Sequence, residues 1–225
     1  MRNKKFIPIL LGTLHVIAAS TALARDPYIV DDAGIADKGT VNSTNWLSHS
    51  NEGENVANMA LAYQAFTNLE TTVQATRDVG DGNNDTQVTL QEKYQWHNAP
   101  AWQSSFTGGV TYDTIQQKLA GVYAYIPVTF VVTPILSLNL DGGWEYSHPN
   151  EQTSASWGAN AALQATKTIS LTAEEFGRTT GKPGQQAGIG WQPAGQTLFM
   201  GDLVYGHDIN GTTGQWLTTG LTFTF

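Results

Sequence analysis

The sequence predicts an all-β chain, a transmembrane antiparallel β-barrel of about twelve strands. Three observations carry this expectation. Segments of about eleven residues alternate apolar and polar side chains with period two, the length a tilted strand needs to cross a bilayer. The connections between them alternate between long loops rich in Gly, Asn and Asp and tighter turns. Beyond the first residues, no apolar run is long enough for a membrane-spanning helix.

The chain of 225 residues opens on Arg2, Lys4 and Lys5, then an apolar stretch from Phe6 to Ile17, then Ala22-Leu23-Ala24. That is the layout of a secretory signal peptide over residues 1–24, cleaved after Ala24. Its removal takes three cations and no acid, so the formal charge moves from −8 to −11. An exported chain this acidic argues against nucleic acid as a partner. Cysteine is absent, which excludes a disulfide-stapled scaffold and thiolate metal or redox chemistry. Only 13% of residues are charged, against about 25% in ordinary globular domains. The 23 glycines argue against a helical bundle. Seven Trp, eight Tyr and eight Phe are too many for a disordered tail.

Residues 25–39 read as a short periplasmic lead, and residues 40–225 as the barrel. The first strand is expected over Thr40 to Ser50. The second and third place Ala57, Met59, Leu61 and Tyr63, then Leu69, Val73 and Ala75, on their apolar faces. Thr86 to Trp96 sets Val88, Leu90, Tyr94 and Trp96 against Gln87, Thr89, Gln91, Lys93 and Gln95, with Glu92 as a blemish on the apolar side. Trp102 to Tyr112 and Gln117 to Ile126 follow. Val128 to Pro134 reads as a connection. The second half is cleaner: Leu136 to Tyr146, Ser154 to Gln164, Lys167 to Phe176, Gln185 to Gln192, Gln196 to His207, and Gln215 to Phe225. In the last, Leu217, Thr219, Leu221, Phe223 and Phe225 oppose Trp216, Thr218, Gly220, Thr222 and Thr224. Terminal Phe225 reads as the membrane-insertion signal of the closing strand.

An even strand number with long loops at one end and short turns at the other is how bacterial outer-membrane barrels are built. Both termini then lie on the periplasmic side. A soluble sandwich needs the same alternation, so periodicity alone does not decide. Segment length, aromatics near segment ends and Phe225 favour the membrane barrel.

Several motifs carry a family resemblance: IPVT at Ile126 to Thr129, LSLNLDGGW at Leu136 to Trp144, LTAEEFG at Leu171 to Gly177, QAGIGWQP at Gln186 to Pro193 and the closing WLTTGLTFTF. Together they resemble the outer-membrane proteins of the MetA-pathway-of-phenol-degradation family. The opening VDDAGIADKGT, Val30 to Thr40, is similar to the Asp-rich, Gly-ended segment before that family's first strand. The likeness covers Ala120 to Phe225 well and Thr40 to Leu119 in outline. It implies a Gram-negative outer-membrane barrel that transports small, aromatic or hydrophobic molecules. The long N-terminal plug of the larger hydrocarbon transporters has no counterpart here.

By parity with their apolar neighbours, Glu70, Lys93, Asp141, Glu145, Glu174 and Asp202 face the interior. Five acids and one Lys suggest a lumen favouring cations or neutral solutes; alternatively they pair with one another as polar filler. Barrels of eight strands are filled by side chains and those of sixteen hold a channel. Twelve lies between.

Enzymatic and metal chemistry have weaker claims. Ser48-His49-Ser50 and Ser147-His148 put hydroxyls beside imidazoles, but adjacent strand residues point to opposite faces. No G-x-S-x-G elbow occurs. His49, His97, His148 and His207 show no ligand spacing. The run Asp78 to Asp85 lacks the closing Glu of an EF-hand. Trp96, Trp102, Trp144, Trp157, Trp191 and Tyr205 read as interfacial girdles rather than a stacking platform. The sequence thus implies no catalysis and no cofactor. Its partners are outer-membrane lipids, the barrel-assembly machinery and a small-molecule solute. Two roles fit: passive passage of small molecules, or a non-conducting structural or surface-interaction barrel working through its loops.

Overall fold

The computed structural model describes residues 27–79, 85–149, 151–196, 198–209 and 214–225. The signal segment and the centres of two long loops, residues 80–84 and 210–213, lie outside the described residues. Twelve strands follow one another: β1 Val41–Ser50, β2 Asn55–Phe66, β3 Leu69–Asp78, β4 Thr86–Asn98, β5 Trp102–Asp113, β6 Lys118–Thr133, β7 Leu136–Ser147, β8 Gln152–Gln164, β9 Ile169–Arg178, β10 Gly184–Trp191, β11 Phe199–Asp208 and β12 Gln215–Thr224. Each pairs with its chain neighbours, and β12 returns to β1, so the sheet is a closed barrel.

Closure follows from the backbone. A sheet in hydrocarbon has no water to satisfy an open edge, so the last strand must pair with the first. It does so antiparallel from Asn42↔Thr224 to Ser50↔Trp216. Val41 and Phe225 finish the seam by exchanging main-chain hydrogen bonds of 3.1 and 2.9 Å.

The faces are inverted relative to a soluble protein. Leu61, Leu90, Ile189 and Leu203 are exposed, whereas Asn139, Asn160, Thr172 and Gln186 are buried. Alternation therefore sends apolar side chains outward and polar ones to the lumen, the pattern of a barrel with lipid outside. Glu92 and Glu175 are charged exceptions on the outward face, and Thr71 on the strand beside Glu92 donates to its carboxylate at 2.9 Å.

Long and short connections alternate around the barrel as the sequence reading expects. One connection departs from it. Val128 to Thr133 continues β6, and the turn shrinks to Pro134-Ile135. The two prolines made this stretch look like a loop. Pro127 is accommodated because the β5–β6 register is interrupted there, between Ser104↔Val128 and Thr107↔Tyr125. A proline without an N–H fits where the ladder is broken.

Some rings fold into the lumen over glycine. Trp216 lies across Gly206 on the adjacent strand, and a Cβ there would overlap its indole. Gly206→Val is expected to cost about 1–3 kcal/mol by overpacking. Gly142, with nothing within 4 Å of a built Cβ, should accept Ala with a change of at most about 0.5 kcal/mol. Thermal loss of the β-sheet circular dichroism signal, compared between the two variants, checks both.

Candidate functional site: a lumen closed by an N-terminal strap

Residues 27–36 lie inside the barrel, not outside it as a periplasmic lead. They form an irregular strap, bent at Pro27, Ile29, Val30 and Ala33, that runs around the inner wall and meets the strands in order. Entry is at the short-turn end, where Thr40 N bonds Asp37 O at 3.0 Å and Gly39 adopts φ 82°. That left-handed turn suits glycine. From there Ala36 reaches β3, Ala33 reaches β4, β5 and β6, and Asp31 reaches β4, β6 and β7. Ile29 and Val30 bond β9, and Pro27 bonds β10.

A segment away from any strand edge still needs partners for its main-chain groups. Wall side chains supply them. Glu174 accepts from Ile29 N at 2.7 Å and Val30 N at 3.2 Å. Asp141 accepts from Asp31 N at 2.7 Å, Thr129 from Ala33 N at 2.9 Å and Glu70 from Ala36 N at 2.5 Å. On the acceptor side of the strap, Gln95 and Ser105 both donate to Ala33 O, and Gln186 donates to Pro27 O. Lys93 Nζ lies 2.8 Å from Asp31 and 3.7 Å from Asp32. Tyr125 OH also donates to Asp31, at 3.1 Å.

The wall itself is braced at this level. Thr129 donates to Asn139, Asn139 to Asn160, and Asn160 to Glu174, at 2.8, 3.1 and 3.0 Å. Gln186 closes on the same carboxylate at 2.7 Å and takes the Trp216 indole N–H at 2.8 Å. Glu174 thus accepts four hydrogen bonds, about the capacity of an ionised carboxylate. It is the hub that joins strap and wall.

Close approach explains three wall glycines. A Cβ on Gly158 would lie 2.6 Å from Val30 Cγ2, and one on Gly188 would lie 2.5 Å from the Tyr28 hydroxyl. One on Gly220 would lie 3.2 Å from Pro27 Cδ. The strap side chains Tyr28, Val30, Ala33 and Ala36 are buried. Beside the strap, a cavity lined by Glu70, Gln74, Thr89, Gln91 and Lys93 has a volume of about 90 Å³. Sites for small molecules usually occupy about 300–1,000 Å³.

The residues singled out by parity are distributed as follows. Glu70, Lys93, Asp141 and Glu174 converge on the strap. Asp202 is buried between Gly190 and Gly220 of the flanking strands, and its Oδ2 has no hydrogen-bond partner. Glu145 lies toward the long-loop end and pairs with Arg178 at 2.6 Å. Glu70, Asp141 and Glu174 hold amide donors of the strap, and Glu70 also stands directly across from Lys93 in the β3–β4 pairing. Phe225 sits on the outer face, 74% exposed, stacked on Phe223.

Sequence reasoning missed the strap. Two signals pointed toward it: five inward acids faced a single inward cation, and Gly158, Gly188 and Gly220 fell on inward positions of strands. Inward glycine marks a place where another backbone comes close.

The hydroxyl–imidazole neighbours separate. Ser48 bonds Thr218 at 2.8 Å, while His49 turns to Asn55 at 2.7 Å. His97 stacks on Trp102 with centroids 3.7 Å apart, and His207 bonds Gln185. The acidic run Asp78 to Asp85 has its centre outside the described residues.

A family model described as Uncharacterised conserved protein UCP029691 matches residues 12–225. The finer resemblance to the MetA-pathway family is not what this match supports. No curated protein matches the sequence. Among solved structures, the chain is similar to a KdgM porin in complex with disordered oligogalacturonate, with TM-score 0.66 and 8% identity over 83% of this chain and 99% of that one. A NanC porin gives TM-score 0.61 and 8% identity, over 80% and 98%. The outer membrane phospholipase A from Escherichia coli gives TM-score 0.56 and 8% identity, over 92% and 96%. At such identities the likeness establishes the fold, an outer-membrane-type barrel.

Glu174→Gln removes the charge at the hub and exchanges one acceptor oxygen for a donor amide while keeping the shape. The substitution is expected to weaken the capture of Ile29 and Val30 by about 1.5–3 kcal/mol, the range for a hydrogen bond to a charged group. Amide hydrogen exchange read on the peptide spanning residues 27–36 should accelerate, while exchange in β2 stays unchanged.

Proposed function

The chain belongs to the family described as Uncharacterised conserved protein UCP029691, and on that premise we propose that it is a default-closed channel for passive passage of small molecules. In this reading it resides in the outer membrane of a Gram-negative bacterium, after export and cleavage behind Ala24. Passage opens when the strap withdraws from the lumen. The observation that carries this reading is how the lumen is filled. A barrel meant to be solid fills with side chains of its own wall. Here the filling is a separate segment, joined to the wall through the turn at Asp37–Thr40 and held by hydrogen bonds that water can replace.

Several findings support a channel over catalysis. Porins are among the structures with this fold, one of them in complex with oligogalacturonate. A phospholipase shares the fold as well, but Ser48 and His49 turn to different partners. The MetA-pathway resemblance favours an aromatic or hydrophobic solute. The wall, built of Glu, Asp, Asn, Gln and Thr, favours a polar one that makes hydrogen bonds, and we give the wall precedence because solute must touch it.

One observation favours a second reading. The cavity beside the strap holds about 90 Å³, the scale of space a structural, non-conducting barrel would have.

A tether separates the two. A built Cβ on Gly158 lies 3.4 Å from Val30 Cβ, close to the 3.5–4.5 Å of a disulfide, and the chain has no competing cysteine. V30C/G158C should form the bond on oxidation. In planar bilayers the oxidised form is expected to be silent, and reduction should restore openings. A barrel that inserts and stays silent in both states, with the wild type silent too, supports the structural reading. Equal conductance in both states would sink the gating strap.

A further inference from the structure

The wall holds the strap chiefly by its backbone. Five strap amides, at Ile29, Val30, Asp31, Ala33 and Ala36, donate to wall side chains, and the carbonyls of Pro27 and Ala33 accept from them. Such contacts read the repeating amide, which every peptide carries, rather than one sequence. Where strap side chains press on the wall, glycine stands at Gly158, Gly188 and Gly220. The track therefore takes a curved peptide chain of ordinary L-residues, with glycine making room for the side chains of Pro27, Tyr28 and Val30. Its side-chain recognition centres on Lys93, which meets the carboxylates of Asp31 and Asp32. Buried acceptor atoms also remain beyond those that the strap engages: Asp141 Oδ1 and Asp202 Oδ2 have no hydrogen-bond partner.

We propose that the solute class of this barrel is the short oligopeptide with a carboxylate for Lys93, bound along the curved track that the strap vacates. The strap is then a resident mimic of the solute. The assignment rests on the channel reading, because a peptide reaches the track only after the strap has moved. Physical competition fits a transporter. The strap is tethered, so its effective concentration is about millimolar, and it displaces any peptide that binds loosely. A solute must bind weakly enough to leave if it is to pass.

Simple charge attraction makes a different prediction. Glu70, Asp141, Glu174 and Asp202 would hold any polyamine, with no need of amide donors. The test uses the full chain carrying D31K/A33P, which sets a second ammonium against Lys93 and removes the amide that Thr129 holds. The probes are a synthetic peptide with the sequence of residues 27–38, the same peptide N-methylated at the Ile29, Val30 and Asp31 positions, and spermidine. The variant is expected to open in planar bilayers, and the unmodified peptide should block it reversibly. The N-methylated peptide should block at least about tenfold more weakly, as the loss of three amide hydrogen bonds entails, and spermidine should not compete with the unmodified peptide.

An open variant that the peptide fails to block overturns the peptide assignment and leaves the channel reading standing. Equal block by the N-methylated peptide or by spermidine also overturns it, in favour of charge alone. A variant that inserts and stays closed overturns the channel reading and the peptide assignment with it. Should D31K/A33P fail to insert, D31N carries the same criteria.

Discussion

Everything in this molecule depends on one constraint: a main-chain N–H or C=O that cannot reach water must find a partner within the protein. On the lipid side the constraint is met by closing the sheet, with β12 paired to β1 and no edge left. Inside the lumen it appears again. The strap lies against no strand edge, so it cannot join a ladder. Its amides are met by carboxylates and hydroxyls that the alternation of the wall strands points inward. The barrel wall and its filling are two answers to the same demand.

Charge is arranged by exchange between the two parts. The wall carries acids and the strap supplies amide dipoles; the strap carries Asp31 and Asp32 and the wall supplies Lys93. Neither part is satisfied alone. Removing one partner of a buried set leaves the other desolvated and unpaired, which costs more than the bond itself was worth. This accounts for an interior in which wall carboxylates meet strap amides while the wall ammonium meets strap carboxylates. It also makes Glu174 the most connected side chain of the site, since strap and wall both end on it. Outside, Glu92 solves a milder version of the problem with a neighbouring threonine.

The fold was legible because alternation and turn chemistry are local. Leu217 to Phe225 announces a strand without any knowledge of its neighbours, and the rhythm of long and short connections places each strand's direction. Even the inward set could be named by parity. Where local signals conflicted, the reading failed: Pro127 and Pro134 suggested a loop across Val128 to Thr133, and only the interrupted β5–β6 register reveals why a proline is tolerated there. The strap was illegible for a deeper reason. Residues 25–39 have no period of two or of 3.6, and what holds them is up to 159 residues away in the chain, as for Gln186 and Pro27. Its partners were visible as an excess of inward acid; the segment that answers them was not.

The path of the strap ties the filling of the barrel to its closure. Its contacts begin at β3 and advance around the wall to Gly220 on β12, the strand that completes the seam with β1. The far end of the strap and the closing seam therefore share one strand: its inward face touches Pro27 while its edge pairs with β1. A change in β12 reaches both at once, so the strand that shuts the ring is also the one on which its contents come to rest.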